Sequence, residues 1–233
     1  MRIIKYDRSI IPACDVKTLE GLKRIVKGTC DVDKIGGYKI GLVLALSHGL
    51  PKVVKTIREF TDLPIIYDHQ KAGTDIPALG QKFAEACKSA GVSAVILFPQ
   101  SGPATEEEWI KACNDTGLGV LVGGEMTHPK FKRSEGGFIN DDALDEIYLN
   151  AVELDVTNFV VPGNRIDRIT HYRSILETKV NNLTFFAPGF VAQGGEITEA
   201  AKTAGKSWHA IVGRGIYKAE DVKKAAEEMT SKL

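Results

Sequence analysis

Residues 66–77 run Ile-Tyr-Asp-His-Gln-Lys-Ala-Gly-Thr-Asp-Ile-Pro, placing Lys71 between Asp68 and Asp75 where an apolar run ends and a helical pattern begins. Nearby opposite charge favours the ionised form of a lysine, while the same aspartates repel any anionic group brought against them. A fixed ammonium among carboxylates is suited to proton delivery to a carbanion as it develops.

Other segments carry groups of similar potential: Asp15, Lys39, Glu125 with Thr127 and His128, and the glycine-rich stretches around 188–195 and 213–215. In the first glycine stretch, Pro188, Gln193 and Gly194 belong to a loop whose backbone N–H groups can approach an anion. In the second, Arg214 brings a guanidinium fork between Gly213 and Gly215. Lys39 interrupts an apolar strand, where an unpaired charge is costly, so an ion-paired or functional role is expected. Plainer uses stand beside these. Asp15 and Thr127 serve turns, Thr74 or Asp75 caps the helix that Pro77 starts, and His69 and His128 make local hydrogen bonds.

These residues need a frame that brings them together. Strand-like runs occupy 10–15, 37–46, 63–68, 93–98, 119–126, 158–161, 183–188 and 210–213, and amphipathic stretches occupy 18–27, 51–60, 77–90, 106–115, 141–154, 165–180, 197–204 and 219–232. Eight strand-plus-helix units predict a single (β/α)₈ barrel over residues 1–233, with chemistry at the carboxyl ends of the strands and phosphate bound by the last two loops. A doubly wound open sheet is the structural rival. Ile76, Leu79, Phe83, Ala86, Cys87 and Ala90 recur at helical spacing and read as a core stripe. Glu106, Glu107 and Glu108 fall in a first helical turn, complement its dipole, and read as solvated surface.

Thirty basic and thirty acidic residues cancel, so no overall field draws the chain to nucleic acid or an anionic membrane. The sequence offers no membrane-length apolar run and no signal-peptide core, and a cytoplasmic location is expected. The four cysteines, at 14, 30, 87 and 113, are far apart and are expected as reduced thiols.

Over essentially its whole length the chain resembles the orotidine 5′-phosphate decarboxylases of the archaeal kind. The resemblance is carried by Tyr38-Lys39-Ile40-Gly41, by Glu125-Met126-Thr127-His128-Pro129 with threonine for the family's serine, by Pro188-Gly189 followed by Ala192-Gln193-Gly194-Gly195, and by Val212-Gly213-Arg214 with Ile216-Tyr217. It implies conversion of orotidine 5′-monophosphate to uridine 5′-monophosphate and carbon dioxide, with no metal or organic cofactor. Lys71 is then the proton donor, Asp68 faces the substrate carboxylate, and Lys39 keeps Asp68 ionised and contacts ribose. Asp15 and Asp75 bind ribose hydroxyls, Asp75 from the neighbouring subunit of a homodimer. Thr127 hydrogen-bonds the pyrimidine, Gln193 bridges base and phosphate, and Arg214 with the Gly213 N–H grips the phosphate.

Two departures stand out. The family's D-x-K-x-x-D-I becomes Asp68-x-x-Lys71-x-x-x-Asp75-Ile76, two residues longer. Positions i and i+3 of a regular strand face opposite ways, so the strand is expected to bulge or end near His69 and Gln70. Leu79 also replaces a threonine that touches the neighbouring subunit's substrate in the family. The rival readings are a Mg²⁺-dependent sugar-phosphate decarboxylase or aldolase on the same barrel, and a non-catalytic nucleotide-phosphate-binding barrel.

Overall fold

The computed structural model describes residues 2–69, 75–190 and 197–233. Along the chain it runs β1 (Arg8–Pro12), α1 (Leu19–Thr29), β2 (Tyr38–Gly41), α2 (Leu42–His48), α3 (Leu50–Arg58), β3 (Ile65–Asp68), α4 (Gly80–Ser89), β4 (Ala94–Leu97), α5 (Pro103–Asp115) and β5 (Gly119–Gly123). It continues through α6 (Asp142–Glu153), β6 (Asn158–Val160), α7 (Ile166–Leu176), β7 (Thr184–Pro188), α8 (Ile197–Thr203), β8 (Ser207–Val212), α9 (Arg214–Tyr217) and α10 (Val222–Thr230).

Every strand pair is parallel, and the eight strands follow the order β1-β8-β7-β6-β5-β4-β3-β2. The seam between β1 and β2 closes through parallel bridges at Ile10–Ile35 and Ala13–Lys39, with the Cys14 N–H donating to the Lys39 carbonyl at 2.9 Å. The result is the expected (β/α)₈ barrel.

Side chains alternate across each strand, and the sequence exploits that period. Ile11, Ile66, Ile96, Leu121, Phe186 and Ile211 turn inward and fill the barrel, while their neighbours Ile10, Tyr67, Val95, Val120, Phe185 and Ala210 turn outward onto the helices. His209 shares the inner side, 2% exposed, with its Nδ1 2.8 Å from the Ser9 hydroxyl, and burial pushes its pKa down to about 3. Among the described residues no helix is long and apolar enough to cross a membrane.

Three expectations need correction. The run 37–46 is strand only at Tyr38–Gly41; from Leu42 the chain is helical, with Gly41 as N-cap. Leucine and alanine are strong helix formers, and a short apolar run shows no period that separates strand from helix. Only Leu44 of this helix is buried, while Val43 and Leu46 are 52% and 73% exposed. The run 119–126 stops as strand at Gly123. The helix expected at 106–115 begins three residues earlier at Pro103, which turns Glu106 into the interior: it is 1% exposed rather than solvated. Burial pushes its carboxyl up to about 8, opposed by a hydrogen bond with Asn150, and its Oε1 has no partner among the described residues.

Candidate active site

Strand parity explains the first cluster. Tyr38 and Ile40 belong to the outer core, so Lys39 between them faces the barrel interior; Tyr67 does the same for its neighbour Asp68. Parallel register sets Lys39 beside Ile66 and Gly41 beside Asp68, within reach of a lysine side chain. The Lys39 ammonium donates to Asp68 Oδ2 at 3.2 Å and to Asp15 Oδ1, just beyond β1, at 3.1 Å. Burial alone would lower the Lys39 pKa, but Asp68 and Asp15 outweigh it and hold the pKa above its ordinary value. One ammonium thus sits between two carboxylates, of which Asp15 keeps 43% of its side-chain surface open.

These three residues line a cavity of about 320 Å³ at the carboxyl end of the barrel. Its walls are apolar on one side, with Ile96, Phe98, Met126, Val160 and Phe190, and polar on the other, where Gly213 and Arg214 enter from the end of β8. Arg214 is exposed and forms no ion pair among the described residues, which leaves its guanidinium available to an anion. Pro188 and Gly189 line the adjacent wall, and Gly189 has φ +110°, a conformation that side-chain-bearing residues rarely adopt.

Thr127, also exposed, reaches the same cavity from beyond β5. Two residues before it, the Glu125 side chain is 3% exposed and accepts hydrogen bonds from Arg168 Nε at 2.6 Å, the Tyr172 hydroxyl at 2.7 Å and Lys132 at 3.3 Å. Nothing in strand-end reasoning pointed to Arg168, Tyr172 or Lys132. The one available signal was the i, i+4 spacing of Arg168 and Tyr172 on the helix over 165–180.

A match to the protein-family model described as "Orotidine 5′-phosphate decarboxylase / HUMPS family" spans residues 8–229. The chain belongs to this family. It is 33% identical over 224 residues to the orotidine 5′-phosphate decarboxylase of Methanosarcina barkeri, covering 96% of this chain and 94% of that one. Identity to the Thermococcus kodakarensis protein of the same name is 30%, covering 96% of each. Among solved structures, the orotidine 5′-monophosphate decarboxylase of Methanocaldococcus jannaschii complexed with the inhibitor BMP superposes with a TM-score of 0.84 at 26% identity, covering 97% of this chain and 98% of the other. The Pyrococcus horikoshii enzyme gives 0.79 at 28% identity, covering 96% and 98%.

Of the residues expected to serve this orotidine 5′-phosphate decarboxylase / HUMPS family site, Asp15, Lys39, Asp68, Thr127, Pro188, Gly213 and Arg214 all line the one cavity. Lys71, Gln193 and Gly194 lie outside the described residues. β3 ends at Asp68 and His69 is no longer strand, which is the interruption that the lengthened family motif demands. The His69 ring is fixed there by a hydrogen bond between its Nδ1 and the Tyr67 hydroxyl and by edge contact with Phe83. Burial lowers the His69 pKa, with Asp68 opposing.

Asp75 is exposed and is not among the residues lining its own chain's cavity. Its Oδ1 accepts the Ile76 N–H at 2.7 Å, and its carbonyl accepts from the Thr105 hydroxyl at 2.9 Å. The helical cap expected of it is therefore only a local bond, since Ile76 is the N-cap of the 3₁₀ turn Pro77–Leu79. Leu79 packs against the outer core. Among the described residues no three His, Cys, Asp or Glu side chains gather as a metal ion would require.

Proposed function

We propose that this chain decarboxylates orotidine 5′-monophosphate to uridine 5′-monophosphate and carbon dioxide. The observation that carries the reading is the buried Lys39 ammonium clasped by Asp15 and Asp68 in a cavity that Arg214 also lines. A substrate with phosphate at one end and a departing carboxylate at the other fits that division of charge. The whole chain acts as one catalytic domain.

Departure of carbon dioxide breaks the bond to carbon 6 of the pyrimidine and leaves its electron pair on that carbon. No adjacent carbonyl drains the charge, so a preorganised electrostatic field must stabilise it. Lys71 supplies a cation, gives its proton to carbon 6, and is reprotonated from solvent. Asp68 stands against the substrate carboxylate: at ~4 Å and an effective dielectric of ~20, two like charges cost about 4 kcal/mol, relieved as neutral carbon dioxide leaves. Lys39 donates to Asp68, and its own charge is held by the carboxylates around it.

Arg214 and the Gly213 N–H hold the phosphate, with Pro188 and Gly194 as further binding residues, Gln193 bridges base and phosphate, Thr127 meets the pyrimidine, and Asp15 takes ribose hydroxyls. Asp75 serves the site of a second subunit in a homodimer. Its absence from its own cavity lining and the 59% exposure of Ile76 beside it support that arrangement. Four free cysteines, three of them buried, fit a reducing cytoplasmic compartment.

The test is an absorbance assay of orotidine 5′-monophosphate with the unmodified chain and with Lys71→Ala, alongside binding of uridine 5′-monophosphate to both. Turnover by the first, loss of about a thousandfold or more in the second, and retained nucleotide binding are expected. Turnover abolished by a chelator would instead assign the Mg²⁺-dependent chemistry, and binding without turnover would assign a sensor.

A further inference from the structure

The exit of β5 is held by contacts that the scheme above does not use. Gly123 is the last paired residue of the strand, opposite Val160. At the next residue, the Gly124 N–H donates to the Tyr148 hydroxyl at 3.1 Å, and that hydroxyl donates to the Val160 carbonyl at 2.6 Å. A side chain thus stands in for the next rung of the ladder, and the strand leaves the sheet with its backbone donor satisfied. Small residues suit the close approach here: a Cβ at 123 would lie 2.6 Å from Phe98 Cζ, which forces a shift, and one at 124 would lie a tight 3.2 Å from Tyr148 Cε2.

The same tyrosine leads to the carboxylate. Tyr148 packs against Tyr172 with ring centroids 4.2 Å apart, and the Tyr172 hydroxyl donates to Glu125 Oε2. Arg168 donates to that oxygen through Nε and to the Tyr172 hydroxyl through Nη2 at 3.0 Å. Lys132 takes the other oxygen, from the segment after Thr127. Residues 125–127 are therefore braced from α6, α7 and their own continuation, immediately where Met126 and Thr127 enter the cavity. A buried ion pair with this many directional bonds fixes one geometry more narrowly than apolar packing does.

We propose that Glu125 is a positioning residue. Clamped by Arg168 and Tyr172, it sets how Met126 and Thr127 meet the base of the bound nucleotide, and leaves the phosphate grip to the far wall. This rests on the reading that Thr127 contacts the pyrimidine.

The experiment compares inhibition constants of uridine 5′-monophosphate and ribose 5-phosphate, which share the phosphate and differ in the base, across Glu125→Gln, Thr127→Val and their double variant. Unmodified turnover of orotidine 5′-monophosphate tests the parent reading separately. In Glu125→Gln the preference for the nucleotide over ribose 5-phosphate should fall by about tenfold with ribose 5-phosphate affinity unchanged, and adding Thr127→Val should cost little more, because coupled residues are non-additive. Equal weakening of both ligands, an unchanged preference, or full additivity would overturn the proposal. Tyr172→Phe removes one oxygen and keeps the ring, so the same comparison in that variant decides the matter should Glu125→Gln fail to fold.

Discussion

Two charged clusters stand at the same end of the barrel and do opposite work. At β2 and β3 one cation holds two anions, and Asp15 remains 43% exposed to the cavity. Beyond β5 one anion receives two cations and a tyrosine hydroxyl, with 3% of its side chain exposed. Among the described residues the first carries more negative than positive charge and opens onto the cavity. The second is enclosed, its cations reaching on to Glu135 and Asp145, and it holds its neighbours in place. Burial and charge balance, more than residue type, distinguish a reacting group from a brace.

The largest effect expected from breaking this comparison comes from Lys39→Met. Removing this cation takes away the ammonium that bonds both Asp15 and Asp68, and stripping one partner from a buried pair costs about 3–5 kcal/mol. Lys132→Met should cost only about 1 kcal/mol, because Arg168 and Tyr172 still satisfy Glu125. Urea denaturation of the two variants at neutral pH measures the difference, and equal losses would erase the distinction drawn here.

Arg214→Ala probes the end of β8. Loss of one charge-assisted phosphate contact should raise KM by about ten- to a hundredfold. Because remote binding energy is used to lower the chemical barrier, kcat should fall as well. A KM effect with kcat unchanged in steady-state kinetics would mean the phosphate only tethers the substrate.

A further effect, confined to high pH, concerns a buried carboxyl outside both clusters. Burial raises the Glu106 pKa from its ordinary 4.5 to about 8, so the folded state binds a proton that the unfolded state has released. Its contribution to stability is therefore complete below about pH 4.5 and is lost as pH rises through about 8. Glu106→Gln, neutral at every pH, should stabilise the fold at pH 9 relative to the unmodified chain by roughly 1–2 kcal/mol and by little at pH 5. Thermal melts at the two pH values test this, and a pH-independent difference would place the group in a different environment.

Much of this arrangement was legible in the order of residues. Lys39 in an apolar strand demanded partners, and the partners proved to be Asp15 and Asp68, residues at the ends of neighbouring strands. The segment from Leu42 was misread because Leu-Val-Leu-Ala-Leu is apolar without a period, and only its packing, with Leu44 buried and Leu46 open, selects helix. Glu106 was misread because its burial depends on where α5 begins and on which face meets α6. Arg168 and Tyr172 escaped notice because they reach Glu125 from a helix 43 and 47 residues away, a distance that no local pattern spans.

Sequence by itself determined the alternation of strands and helices, hence the barrel, and also which polar residues sit at strand ends, because both follow from side-chain period and local propensity. Tertiary structure alone decided which charges are shared, which are enclosed and which face the cavity. Those outcomes depend on distances across the barrel and on the local exclusion of water, and neither is encoded in any single stretch of chain.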